Sequence, residues 1–229
     1  VLYGSAQILQ TMGLQHTDAT VSGFVTGTYV VLTPLFAAAI FREHIGRAAW
    51  VATALAVVGL AILSLRGLSV GLGEAQTLAA AALYALHIVG LGRWSRSDTA
   101  VGLATVQAGV IALVACAAAL PGGLTLPATG GQWAATLYMA LVAGAGALWA
   151  QTWAQAYLTA TRAAIVMTLE PVFAAFFAVL FGGESLTTRM VLGGLLVLAA
   201  MYVAELGGRT TPQATAADDP PAEMLHHEV

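Results

Sequence analysis

The chain has 229 residues, of which 59% are hydrophobic and only 8% charged, with a formal net charge of −3 and a mean hydropathy of +0.84. A soluble domain carries about 25% charged residues, so this composition excludes that class and predicts an all-α polytopic membrane protein with the lipid bilayer as its surroundings. All eight basic residues are Arg and form no basic patch, which argues against nucleic-acid binding; the single Cys116 excludes an intrachain disulfide and a multi-cysteine metal site.

Apolar segments run over 1–13, 19–41, 47–66, 73–93, 100–120, 132–157, 161–182 and 188–206, joined by short linkers rich in turn and charged residues. The first residue is Val1, already inside an apolar segment, and the chain is read as missing an N-terminal piece. Trp50, Trp94 and Trp133 stand at segment ends, where amphipathic rings favour the interface. Residues 207–229 are polar, acidic and Pro-containing, and read as a disordered tail. Linkers on one side hold Arg42, Arg47, Arg93, Arg96 and Arg162, with Arg209 after the last segment; the other side holds Arg66 and Arg189. The positive-inside rule makes the first side cytoplasmic, and the C-terminus with it.

The chain repeats itself. QILQTMGLQHTDA (7–19) aligns with QTWAQAYLTATRA (151–163), so that Gln7 faces Gln151. After a three-residue shift, YVVLTPLFAAAIFREHI (29–45) lies over EPVFAAFFAVLFGGESL (170–186), with Glu43 over Glu184. An odd number of helical steps between the copies inverts one against the other, a recurrent plan of secondary transporters whose substrates bind near the midplane. The register sets Tyr29-Val30 against Glu170-Pro171, while the first copy's proline comes later, at Pro34. The two halves are therefore expected to kink at different depths.

These stretches, together with LAAAALYALHIVGLGRWS (78–95), resemble the EamA-like branch of the drug/metabolite transporter superfamily, over nearly all of 1–206. The resemblance implies inverted five-helix repeats with both termini cytoplasmic and a central cavity, eight of the ten transmembrane helices being present here. Residues 1–66 are then the end of the first repeat, and 73–206 the second. It also implies a bacterial inner-membrane permease, working as an exporter by alternating access on a small-molecule substrate, with protons as the candidate coupling ion. A homodimer is left open. No organic cofactor or metal is implied, and the motif HExxH and a Lys-bearing P-loop do not occur, so no enzyme is expected. The rival from another class is a membrane scaffold whose polar residues only hold helices together.

The candidate site residues are the polar and aromatic ones at membrane depth. Glu170 lies mid-segment, where a carboxylate costs about 2.5–3.5 kcal/mol to insert, so it should face a protein interior or wet cavity. Pro171 removes a helical donor and should bend the helix beside it. Trp149 and Trp153 share a helix face, as do Gln151 and Gln155, and are weighed as cavity wall against core packing. Gln7 and Thr11 are weighed in the same way. Tyr84 and His87 share a face, with a proton relay set against a neutral, hydrogen-bonded imidazole. Gln107 and the Gly23/Gly27 GxxxG pair are read as packing. Glu43 and Glu184 are read as turn caps or ion-pair partners, and Glu74 and Glu205 as acids reaching the interface.

Overall fold

The computed structural model describes residues 1–42, 46–66, 69–94, 99–123, 126–157 and 167–207. Expectations resting on Glu43, Arg96, Arg162, Arg209, residues 161–166 and the tail after Gly207 lie outside the described residues, as do those on the side chains of Arg93, Trp94 and Gln155. The helices are α1 (Leu2–Gly13), α2 (Ala19–Gly27), α3 (Tyr29–Phe41), α4 (Arg47–Ser64), α5 (Leu72–Trp94), α6 (Ala100–Ala119), α7 (Gly130–Leu137), α8 (Ala147–Tyr157), α9 (Glu170–Leu180) and α10 (Thr188–Gly207). The one extended feature among the described residues is a two-residue antiparallel bridge between Leu65–Arg66 and Ser69–Val70.

Helical stretches long and apolar enough to span a bilayer cover Ala19–Phe41, Leu72–Gly92, Ala100–Gly122, Gly130–Ala154 and Thr188–Leu206; α4 and α9 contribute shorter apolar helices. Polarity is arranged for lipid. Leu113, Leu141 and Phe176 are exposed, whereas Thr20, Ser22, Thr26, Thr28 and Thr77 are buried. Backbone groups are satisfied within the helices, as a hydrocarbon environment demands. On α9 the rings of Phe173, Phe177 and Phe181 stack along the exposed face. The chain is a polytopic membrane protein.

Two antiparallel pairings hold the centre. In the first, α2 lies on α9 through the GxxxG glycines: a Cβ on Gly23 would sit 2.7 Å from Ala174 Cβ, and one on Gly27 3.4 Å from Pro171 Cγ. Packing is thus what the small residues of α2 do. In the second, α4 crosses α10 at Gly59 and Gly193, where a Cβ on either would come within 2.9 Å of the other's carbonyl oxygen. Small residues let backbones approach this closely, and dispersion contacts supply the attraction that a hydrophobic effect cannot supply in lipid.

Segment 132–157 begins earlier than expected, at Gly130, because Thr129 and Gln132 form a capping box. Its middle, Tyr138–Gly146, is a π-helix.

Two sequence expectations are corrected. Pro171 does not bend an unbroken helix: Thr168 and Leu169 form a turn and α9 starts at Glu170, which puts Pro171 in the first helical turn. A first turn asks for no N–H at that place, so the proline starts the helix. Nor do the two halves break at different depths. The first copy interrupts at Thr28, whose N–H and hydroxyl both turn back to the Val25 carbonyl. Tyr29 and Glu170, opposite each other in the repeat, are therefore each the first residue of the helix after a break. Pro34 stays inside α3.

Glu184 is a cap, though not of its own helix. Its Oε1 accepts the Ala19 N–H at 2.6 Å and its Oε2 the Thr20 N–H at 3.1 Å, while Asp18, at the N-cap position of α2, makes no side-chain cap bond. A carboxylate on two free donors at a helix N-terminus is favoured by hydrogen bonding and by the helix dipole. Glu184→Ala should destabilise the fold by about 1–2 kcal/mol, and Glu184→Gln, which keeps one acceptor, by less. Thermal unfolding in detergent reads the difference, and equal melting of Glu184→Ala and wild type would remove the cap. Glu74 also departs from expectation. It is 3% exposed and accepts the Thr17 hydroxyl at 3.2 Å, so it tucks under the α1–α2 linker.

Candidate functional site

The breaks at Thr28 and Thr168–Leu169 bring the starts of α3 and α9 together. There the Tyr29 hydroxyl donates to Glu170 Oε2 at 2.9 Å. The two residues are 141 positions apart, which is the register of the internal repeat. Positions related by an inverted repeat meet only near its pseudo-two-fold axis, so this hydrogen bond marks the junction of the two halves. Tyr29 is 4% exposed, and Glu170 is exposed in this chain.

Around that pair stands an aromatic and amide cluster from α1, α2 and α5. The ring of Tyr84 packs edge-on against Tyr29 at 6.5 Å and against Tyr3 at 5.1 Å, and Tyr3 packs edge-on against His87 at 5.3 Å. The Tyr84 hydroxyl donates to Gln10 Oε1 at 3.0 Å, and Gln10 Nε2 donates to Thr26 Oγ1 at 3.0 Å. Gln10 thus ties α1 to α2 and α5, with its amide held from both ends. Gln7 Nε2 reaches the Tyr3 hydroxyl at 3.4 Å, and the Thr11 hydroxyl turns back to the Gln7 carbonyl.

Of the residues singled out from sequence, the structure brings Glu170, Tyr29, Tyr84 and His87 into one cluster, with Pro171 at its edge and Gln7 joined through Tyr3. Trp149, Gln151 and Trp153 stand elsewhere. They lie on α8, whose main packing against another spanning helix is on α6, and the two indoles stack at 6.3 Å with about half their surface exposed. Tyr3, Gln10 and Thr26 are the members that sequence reasoning missed. Tyr3, Gln7 and Gln10 follow an i, i+4, i+7 spacing on α1, a signal that would have placed Gln10 beside Gln7.

Chemically, the cluster offers aromatic rings, hydroxyl and amide groups with fixed directions, and one carboxyl able to hold a proton or face a cation. Ionisable groups are costly in hydrocarbon, so one at membrane depth is expected to face protein or a wet cavity.

The profile of the EamA-like transporter family matches residues 1–65 and 71–205. This chain belongs to the EamA-like transporter family. Its sequence is 30% identical over 198 residues to an uncharacterized transporter of Archaeoglobus fulgidus, an alignment covering 86% of this chain and 64% of that protein. The chain therefore spans somewhat less than two thirds of that relative's length. A crystal structure 18% identical in sequence superposes with a TM-score of 0.53, over 92% of this chain and 74% of the other, and shares the fold. The family's two matched regions meet between Leu65 and Gly71, at the bridge connecting α4 to α5.

Proposed function

We propose that this EamA-like chain forms the solute pathway of a secondary transporter for small metabolites or drug-like molecules, working by alternating access, with Glu170 as the group that takes up a proton or a substrate's charge. The observation carrying this reading is the Tyr29–Glu170 hydrogen bond between equivalent positions of the two copies. A rocking of one copy against the other pivots there, so a proton or cation on Glu170 is at the one place where both sides can be reached in turn. Purified protein in liposomes tests it: counterflow of a preloaded solute supports transport, and its absence across a broad solute panel favours the scaffold reading.

The proposed orientation puts Arg42 and the C-terminus in the cytoplasm of a bacterial-type inner membrane. The Glu184 cap supports it, since it joins the α9–α10 turn to the start of α2, and the Arg count sets both on the far side. Single-cysteine labelling in a Cys116→Ser background should find His44 and Ser95 inside, and Gly123 and Ser185 outside. The inverted arrangement fails if the turns of Glu43 and Glu184 label from the same side.

A further inference from the structure

A cavity of about 520 Å³ lies between the first residues of α1, the end of α3, the second half of α5 and the first half of α6. This is the size of a small-molecule site. Its walls are almost all aliphatic, among them Leu86, Leu103, Val110 and Ile111, and no lining side chain carries a formal charge. Two polar side chains line it, His87 and Gln107, besides the Tyr3 phenol, through which it adjoins the cluster described above. His87 Nε2 and both amide atoms of Gln107 are buried, and although the two side chains face each other, none of the three atoms makes a well-formed hydrogen bond among the described residues. Buried polar atoms are nearly always paired, and in a bilayer an unpaired amide is costlier still. A primary amide presents one acceptor beside two donors, and the group that satisfies it edge to edge presents a donor beside an acceptor.

We infer that this cavity binds an uncharged, mostly apolar solute carrying a carboxamide-type head, with the head on Gln107 and His87 and the apolar body against α5 and α6. Charge on the ligand is disfavoured because no charged side chain on the wall neutralises it. The inference deepens the transport reading, on which it rests only for the ligand's later passage. Ile40 and Phe41 place the cavity at the Arg42 end of α3, the side taken as cytoplasmic, where an exporter collects its load.

The test is equilibrium binding to the purified chain in lipid nanodiscs, with signal from empty discs subtracted. The probes are four compounds of one shape: biphenyl-4-carboxamide, biphenyl-4-carboxylate, 4-phenylbenzylamine and biphenyl. The carboxamide should bind at least about tenfold more tightly than the other three, a difference of about 1.4 kcal/mol. Gln107→Leu should abolish that preference while leaving biphenyl binding in place. Since Gln107→Leu removes an unpaired buried amide, it should fold at least as well as wild type. Val110→Trp, which fills the cavity, should weaken all four probes. Equal binding of the four probes, as a lipid-filled groove would give, overturns the inference, and so does a carboxamide preference that survives Gln107→Leu. Counterflow with some other solute leaves transport standing in either event, so the two failures are distinguishable.

Discussion

Replacing Glu170 by Gln is expected to leave a folded, inserted protein that no longer accumulates solute against its gradient when driven by protons. The amide keeps the shape of the side chain and an oxygen to accept the Tyr29 hydroxyl, so the junction at 2.9 Å stays closed. What it loses is the proton that a carboxyl takes on one side and releases on the other. Accumulation in liposomes under an imposed pH difference should fall by at least about tenfold, equivalent to about 1.4 kcal/mol of coupling. Counterflow, which needs no driving ion, should survive if Glu170 only carries the proton, and should fail if it also pairs with a charged substrate. Tyr29→Phe removes the donor but not the carboxyl, and should retain coupling with altered solute affinity. Wild-type accumulation by Glu170→Gln from about pH 5.5 to pH 8, a range bracketing the usual His value, would leave Glu170 a structural acid.

Gly193→Ile should cost about 3 kcal/mol and sharply lower the yield of folded protein. A Cβ at Gly193 would lie 2.7 Å from Leu63 Cγ and 2.9 Å from the Gly59 carbonyl oxygen. Leu63 is fully buried, with little room to turn aside, and the carbonyl is backbone and cannot leave its helix. α4 and α10 must then move apart along the whole crossing, and with them the helices that close each copy. Gly59→Ile should do the same, since its Cβ would meet the Gly193 oxygen at 2.9 Å. The control is Gly109→Ala on α6, where nothing lies within 4 Å and the helix gains about 0.8–1 kcal/mol of propensity. Thermal unfolding in detergent should rank Gly109→Ala at or above wild type and both isoleucine variants far below. Near-wild-type melting of Gly193→Ile would mean that α4 and α10 do not pack at those glycines.

The sequence by itself determined the membrane class, most of the span positions within a few residues, the turn role of Glu184 and the register that sets Tyr29 against Glu170. These are local or periodic properties: a run of apolar residues, a linker, a repeated order of features. Hydrocarbon enforces them segment by segment, because each helix must satisfy its own backbone. Only the tertiary structure decided which polar residues meet. Helix spacing shows what shares a face but not what that face confronts, so Trp149 and Trp153 read as well for a cavity wall as Tyr84 did, while in the fold they lie on α8, which packs chiefly on α6, and are half exposed. Gln10 shares a face with Gln7 by spacing alone, but its pairing with Thr26 was decided only when α1 was set against α2. The role of Pro171 depended on whether the turn before it is helical, which the local sequence leaves open and the fold shows it is not. Glu184 shows the same division, since a turn carboxylate is legible alone, but the helix it caps begins 165 residues earlier and was found only by the fold.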